Sequence, residues 1–314
     1  MRVLRHWTGL NAADRGAAVV IGNFDGVHKG HCAVIGEAHA LAQGAGKKLA
    51  VLTFEPHPRS FFRPDDPPFR LTQLRLKARY IAELGVDLLF VARFDAEFAA
   101  RSAEGFVAEV LERGLGASHV ITGYDFVFGH KRTGNAVLLE RLAQRHHYRY
   151  TAISPVAAES GEVYSSTQIR NYLQTGRPAD AARLLGRNWE IEGRVEGGRK
   201  LGRTIDFPTA NVRLAEYLQP AMGVYAVRAG IDEGSRTVWH DGVANFGNRP
   251  TVDGKSVWLE IHLFDFDGDL YGKHLRVAFI EFLRAEMKFP GLDALKAQIA
   301  KDGARAREIL HARQ

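Results

Sequence analysis

The feature that most constrains this chain is a change of rhythm near residue 185. Before it, short apolar runs rich in β-branched residues recur at Ala17–Ile21, Leu49–Phe54, Leu88–Val91, His119–Thr122 and Tyr150–Ile153. Segments of helical spacing lie between them: Leu74–Leu84, Phe98–Leu111 and Asn135–Arg145. Buried strands alternating with helices predict a doubly wound parallel sheet, whose ligands sit at the carboxyl ends of the strands. After Leu185-Gly186-Arg187-Asn188 come only short strands: Trp189–Val195, Gly223–Ala229, Thr237–Ala244, Val257–Phe264 and Leu275–Phe282, with turn signals at Asp253-Gly254 and Asp267-Gly268. This half predicts a small antiparallel barrel or sandwich. An amphipathic helix closes it over Leu292–Leu310, with Leu292, Leu295, Ile299 and Ile309 towards the barrel. A length of 314 residues suits two domains, expected at 1–185 (α/β, Rossmann-like) and 186–314 (all-β with a terminal helix).

Composition narrows the class. The single cysteine, Cys32, rules out an intrachain disulfide and fits a reducing cytoplasm. The N-terminal residues carry no long apolar run, so no signal peptide is expected, and no stretch approaches the roughly 20 apolar residues of a membrane helix. The net charge of +6 favours anionic partners, either nucleic acid or small polyphosphates. Its scattered distribution reads mostly as solvated surface, and no basic stripe interleaved with stacking aromatics is present. The expectation is an enzyme of small molecules, with no nucleic-acid or membrane partner and no obligate protein partner.

The first apolar run leads directly into Gly22-Asn23-Phe24-Asp25-Gly26-Val27-His28-Lys29-Gly30-His31. A helix N-terminus offers unpaired N–H groups and a positive dipole end to phosphate. Glycines allow close backbone approach, and two imidazoles can donate to phosphoryl oxygens as charge develops. A His-x-x-His pair alone is equally a metal pair or two surface histidines. Placed after a strand among Gly22, Gly26 and Gly30, it points to nucleotide chemistry. This stretch resembles the His-x-Gly-His signature of nucleotidyltransferases, and the resemblance implies that His28 and His31 serve the ATP phosphates and the transition state, with Gly22, Asp25 and Gly30 around them.

Three further segments extend the likeness: Thr53-Phe54-Glu55-Pro56-His57-Pro58, Gly123-Tyr124-Asp125-Phe126-Val127-Phe128-Gly129 and Ser165-Ser166-Thr167-Gln168-Ile169-Arg170. With their order and spacing, the chain resembles the prokaryotic bifunctional riboflavin kinase/FAD synthetase family. Ser166, Thr167 and Arg170 are then expected to hold ATP phosphates; as residues alone, Ser166 or Thr167 is better read as an ordinary helix cap. Phe54, Phe61, Phe62, Phe126 and Phe128 crowd the strand ends. Plain core packing accounts for most of them, while Phe62, Asp125 and Phe128 are the expected flavin contacts. Val127 stands where the family usually has arginine, and Asn135 where aspartate is common.

The second half carries its own signals. Gly193, Gly197, Gly198 and Gly202 alternate with Arg194, Arg199, Lys200 and Arg203. Such a loop can wrap a polyphosphate through its backbone amides, or be a solvated hairpin. The following Phe207-Pro208-Thr209-Ala210-Asn211 resembles the Pro-Thr-Ala-Asn motif of riboflavin kinases. The resemblance implies ATP contacts at Gly198, Gly202, Pro208, Thr209 and Asn211, and Mg²⁺ held by Thr209 and Asn211. In Val257–Phe264, strand period sets Glu260, His262 and Phe264 on one face and Leu259, Ile261 and Leu263 on the other. The family likeness makes Glu260 the general base for the ribityl 5′-hydroxyl; without it, an exposed strand glutamate paired to arginine would be preferred. Asp206 departs from the family's glycine, and a carboxylate there would repel phosphate.

Together these residues lead to an expected ATP- and Mg²⁺-dependent enzyme that phosphorylates riboflavin to FMN and adenylylates FMN to FAD. The alternatives are a chain with one active half, a first half acting on another substrate such as a pantetheine or nicotinate nucleotide, and a flavin- or RNA-binding protein on an old nucleotidyltransferase scaffold.

Overall fold

The computed structural model describes residues 1–154, 161–197, 207–233, 236–251 and 254–313. They divide into two units, Met1–Asp66 with Leu74–Tyr164, and Pro67–Gln73 with Ser165–Gln314.

In the first unit, six parallel strands form a sheet: β1 (Arg2–Leu4), β2 (Ala18–Ile21), β3 (Leu49–Glu55), β4 (Leu88–Arg93), β5 (His119–Gly123) and β6 (Arg149–Ile153), in the order β1-β4-β3-β2-β5-β6. The unbroken apolar runs follow from burial on both faces, the condition of a doubly wound parallel sheet. Ile35 and Ala38 of helix α1 (Lys29–Gly44) and, after the short α2 (Pro58–Phe62), Ile81 of α3 (Leu74–Glu83) pack with Val20, Val51 and Leu89 on one face. Val107 and Leu111, with Leu139 and Leu142 of α6 (Ala136–Arg145), pack with Val19, Leu52 and Phe90 on the other. The chain leaves β2 towards β3 and β4 on one side, then returns to β5 and β6 on the other. The strand order therefore reverses between β2 and β5, the switch point at whose carboxyl edge the ligands of such sheets bind.

One expected helix is broken. Phe98–Leu111 separates into α4 (Ala96–Ala99) and α5 (Ala103–Gly105), which runs on as a π-helical stretch over Phe106–Gly114. Two caps cause the break. Asp95 accepts from the Phe98 amide at 3.0 Å and Ser102 from the Gly105 amide at 2.9 Å, so each residue starts a new helix.

In the second unit, α7 (Ser166–Gln174) and α8 (Pro178–Leu185) precede a closed barrel. Its strands are β7 (Trp189–Glu196), β8 (Ala210–Arg213), β9 (Gly223–Glu233), β10 (Arg236–Thr251), β11 (Gly254–Leu263) and β12 (His274–Ala285), in the order β10-β11-β8-β7-β12-β9. The alternative of a sandwich is thereby removed. Closure leaves no unpaired sheet edge, and alternation sends Val212, Tyr225, Val227, Leu259, Ile261 and Phe279 into the core, all nearly inaccessible. The opposite face of the wall, with Val224, Ala226 and Val243, receives Ala306 and Leu310 of α9 (Leu292–His311). Leu292 does not face the barrel as its spacing predicts. It begins the helix with 54% of its surface exposed, and the buried stripe is instead Asp302, Ala306 and Leu310. Arg284 of β12 reaches both oxygens of Asp302, the shortest distance being 2.7 Å, and Gln298 also donates to it. This fork-to-carboxylate pairing anchors the helix on the wall.

Candidate active sites

In the first unit, the loop after β2 is held in a demanding conformation. Phe24, Gly26 and Val27 have φ of 48°, 86° and 42°. For Phe24 and Val27 this left-handed backbone costs on the order of 1–3 kcal/mol each, a cost offset by burial, since both are almost inaccessible. Gly22 leaves room for this turn, because a Cβ would stand 3.0 Å from the Phe24 ring, which would have to give way. Asp25 is also buried in this loop.

The loop delivers His28 to the N-cap of α1. Its Nδ1 accepts the His31 backbone N–H at 3.3 Å, so the neutral ring carries its proton on Nε2 and can donate there. The His28 and His31 rings stack with centroids 3.6 Å apart and planes at 18°. Phe24 meets His31 edge-on at 5.3 Å. Gly30 makes this stack possible. A Cβ at residue 30 would lie 3.2 Å from the His28 Cε1 and Nδ1 atoms and 3.0 Å from the Tyr164 Cβ. Gly30→Ala is therefore expected to shift the His28 ring by a few tenths of an ångström and to slow the nucleotidyl transfer that the sequence predicts for this loop by up to about tenfold. Pyrophosphate-release kinetics measure the loss, and an unchanged rate would show that His28 tolerates the added methyl.

The loop after β5 carries Asp125 and Phe128. Asp125 is exposed, with a carboxylate oxygen 3.3 Å from the place of a Gly123 Cβ. Phe128 is largely buried and stacks on Phe126 at 5.6 Å. Phe62, by contrast, is 64% exposed. The two residues end one aromatic ladder: Phe62 meets Phe94, Phe94 meets Phe98, Phe98 meets Phe106 and Phe106 meets Phe128, at 5.7, 5.6, 6.1 and 5.3 Å. Asn135 caps α6 by accepting from the Leu138 amide at 3.0 Å. An aspartate would cap equally well, so this departure has a structural equivalent. Val127 is 37% exposed.

Ser166, Thr167 and Arg170 lie on α7, in the second unit. The cap is neither Ser166 nor Thr167 but Ser165, whose hydroxyl accepts from the Thr167 and Gln168 amides at 3.2 and 3.5 Å. Arg170 donates from Nε to the Phe69 carbonyl at 2.8 Å and lies over the Phe69 ring at 5.4 Å.

The barrel supplies the second candidate site, a cavity of about 1170 Å³ against the outer face of its wall. Pro208, Thr209, Asn211 and Glu260 all line it. Asn211 on β8 stands directly opposite Glu260 on β11, which brings the motif and the carboxylate together. Leu259, Ile261 and Leu263 are buried and Glu260 and His262 half-exposed, the facing that strand period predicts. His262 fixes the motif's entry, with Nδ1–H donating to the Pro208 carbonyl at 2.9 Å and the ring packing on Phe207 at 5.0 Å. Asn211 is 3% exposed, and its Oδ1 has no hydrogen-bond partner among the described residues. An orphaned buried carbonyl oxygen is costly and fits a hard cation, which prefers neutral oxygens and phosphates. Among the described residues, no group of three His, Cys, Asp or Glu side chains is placed to hold a metal ion. Gly198, Gly202 and Asp206 lie outside the described residues.

Sequence reasoning missed several members of both sites. Phe94 joins the aromatic ladder, and Asn245, Arg284 and Asp302 line the barrel cavity. Asn245 carried a usable signal, an amide amid the apolar residues Val243, Ala244 and Phe246 of a strand. Arg284 and Asp302 carried none, because only the fold brings them together.

Comparison with known proteins finds two family models along the chain. Residues 10–168 match the family model described as FAD synthetase, and residues 185–310 the one described as riboflavin kinase. The chain is 42% identical over 310 residues to the bifunctional riboflavin kinase/FMN adenylyltransferase of Escherichia coli K12, covering 98% of each. It is 42% identical over 311 residues to the protein of that description from Pseudomonas fluorescens, again covering 98% of each. A solved structure titled macrolide-efflux protein, from Streptococcus pneumoniae, superposes with a TM-score of 0.82 at 29% identity, covering 96% of each chain. Among the described residues of the present chain, no helix is long and apolar enough to cross a membrane. Two matched modules in one order, over nearly the full length of the curated relatives, place this chain in the bifunctional riboflavin kinase/FMN adenylyltransferase family.

Proposed function

We propose that this chain makes both flavin cofactors, phosphorylating riboflavin to FMN with residues 186–314 and adenylylating FMN to FAD with residues 1–185. The two activities follow from the family. The pairing of Asn211 with Glu260 across β8 and β11, beside a cavity large enough for two substrates, is the observation that supports the kinase roles most directly. There Glu260 takes the proton of the ribityl 5′-hydroxyl, and the oxygen attacks the γ-phosphorus of ATP. The bond to the β-phosphate oxygen breaks and ADP leaves. A carboxylate is a weak base for an alcohol, so it acts by holding the hydroxyl in line and accepting the proton late. Thr209 and Asn211 are the residues that would hold Mg²⁺, which supplies charge neutralisation to the triphosphate; the unpaired Asn211 Oδ1 favours that role. Pro208, with Gly198 and Gly202 of the basic loop, would complete the ATP contacts.

In the first domain, a phosphate oxygen of FMN attacks the α-phosphorus of a second ATP and pyrophosphate leaves. His28, through Nε2–H, and His31 donate to oxygens that gain charge in the transition state. Gly22, Asp25 and Gly30 shape the loop that carries them. Ser166, Thr167 and Arg170 are the proposed pyrophosphate contacts, and Phe62, Asp125 and Phe128 the proposed flavin contacts. Riboflavin, FMN and ATP are the substrates, in the cytoplasm, with no nucleic acid, membrane or obligate protein partner required by this chemistry.

The test is one incubation of the purified chain with riboflavin, ATP and Mg²⁺, with flavins separated over time. FMN is expected to rise first and FAD to follow. FMN without FAD, or neither product, would reduce the proposal to one active half or none.

A further inference from the structure

The wall of the barrel cavity is crossed by one unbroken row of side chains. Asn211 on β8 faces Glu260 on β11, Glu260 faces Asn245 on β10, Asn245 faces Val224 on β9, and Val224 faces Arg284 on β12. Directly opposed residues project to the same side of a sheet, and all five line the cavity. Polarity changes along the row. At one end are Asn211 and the Glu260 carboxylate. At the other, Val224 is followed by Arg284, which is committed to Asp302 and lies 5.8 Å from the Phe289 ring, with Leu295 and Ile299 also in the cavity lining. Asn245 lies between the two. It is half-buried, and among the described residues its side chain forms no hydrogen bond.

Riboflavin has the same order of chemistry along its length: a reacting 5′-hydroxyl, a polyhydroxylated ribityl chain and an apolar ring system. With the 5′-hydroxyl at Glu260 and the rings at the apolar end, the ribityl chain must cross Asn245. One strand spacing is about 4.8 Å, close to the span between hydroxyls two carbons apart. A carboxamide both donates and accepts, which suits a hydroxyl group.

We propose that Asn245 is a substrate-positioning residue of the kinase, hydrogen-bonding the 3′-hydroxyl of riboflavin and thereby setting the 5′-hydroxyl against Glu260. The proposal rests on the kinase reading above. It assigns to Asn245 the discrimination of the ribityl chain, separate from ATP binding and from proton transfer.

The experiment compares riboflavin with 3′-deoxyriboflavin in wild-type protein and in Asn245→Ala, following FMN formation. In the wild type, loss of the hydroxyl is expected to lower kcat/KM about tenfold, the worth of one hydrogen bond. Asn245→Ala is expected to raise KM for riboflavin about tenfold and to make the two flavins nearly equivalent, because the missing partner is then missing on both sides. KM for ATP and the rate of FAD formation from added FMN stay within twofold, which also reports that the chain is folded. Should the alanine variant not fold, Asn245→Ser carries the same comparison, with its shorter hydroxyl expected to reduce the discrimination. Effects of analogue and variant that simply multiply would overturn the proposal, as would a change confined to KM for ATP. Failure of the wild type to make FMN would instead remove the kinase reading on which it stands.

Discussion

Glu260→Gln is expected to abolish FMN formation to within measurement, a loss of about 10²–10⁴-fold, while FAD formation from added FMN continues at the wild-type rate. Glutamine keeps the shape and the position opposite Asn211 but cannot accept a proton. The substitution lies on the outer face of the wall, away from the packed interior of Leu259 and Ile261, so the barrel should persist. Two assays on one preparation decide the matter: riboflavin-dependent FMN production, and FMN-dependent release of pyrophosphate. Retention of more than about a tenth of the kinase rate would mean that Glu260 is not the base. In that case, its register with Asn211 would be a feature of packing alone. Equal loss of both activities would mean that the two reactions do not have separate sites.

The strands of the first domain were legible because doubly buried strands leave unbroken apolar runs, as at Leu49–Phe54. What escaped notice was short or broken. β1 has three residues, and β8 has four, directly after the Pro208-Thr209 pair. The helix expected over Phe98–Leu111 failed because two local caps, Asp95 and Ser102, overrode the apolar period. Leu292 had the right spacing for the core of α9 but sits in its first turn, before the helix meets the wall. The same rule governs the sites. Residues close in sequence, such as His28, Gly30 and His31, announce themselves by composition and spacing. The pairing of Glu260 with Asn211 and Asn245 depends on strand register, which no local pattern encodes in a barrel built from non-consecutive neighbours.

Replacing His28 and His31 together by alanine is expected to have the reverse effect, with FAD formation lost by about 10²–10³-fold or more and FMN formation unchanged. The magnitude is that of removing donors aimed at developing charge in a site that excludes water. The stack at 3.6 Å ties the rings together, and the Nδ1 of His28 is occupied by the His31 amide, leaving Nε2 as the donor. The single variants should therefore not add. His28→Ala removes a donor, the cap of α1 and the ring that orients His31, so it should come close to the double variant, whereas His31→Ala leaves the capped His28 in place and should cost less. His28→Asn separates structure from chemistry. Asparagine can cap α1 through Oδ1 but presents no donor at the Nε2 position, so it should restore the melting temperature without restoring pyrophosphate release. Recovery of activity along with stability would show that His28 serves only to start the helix.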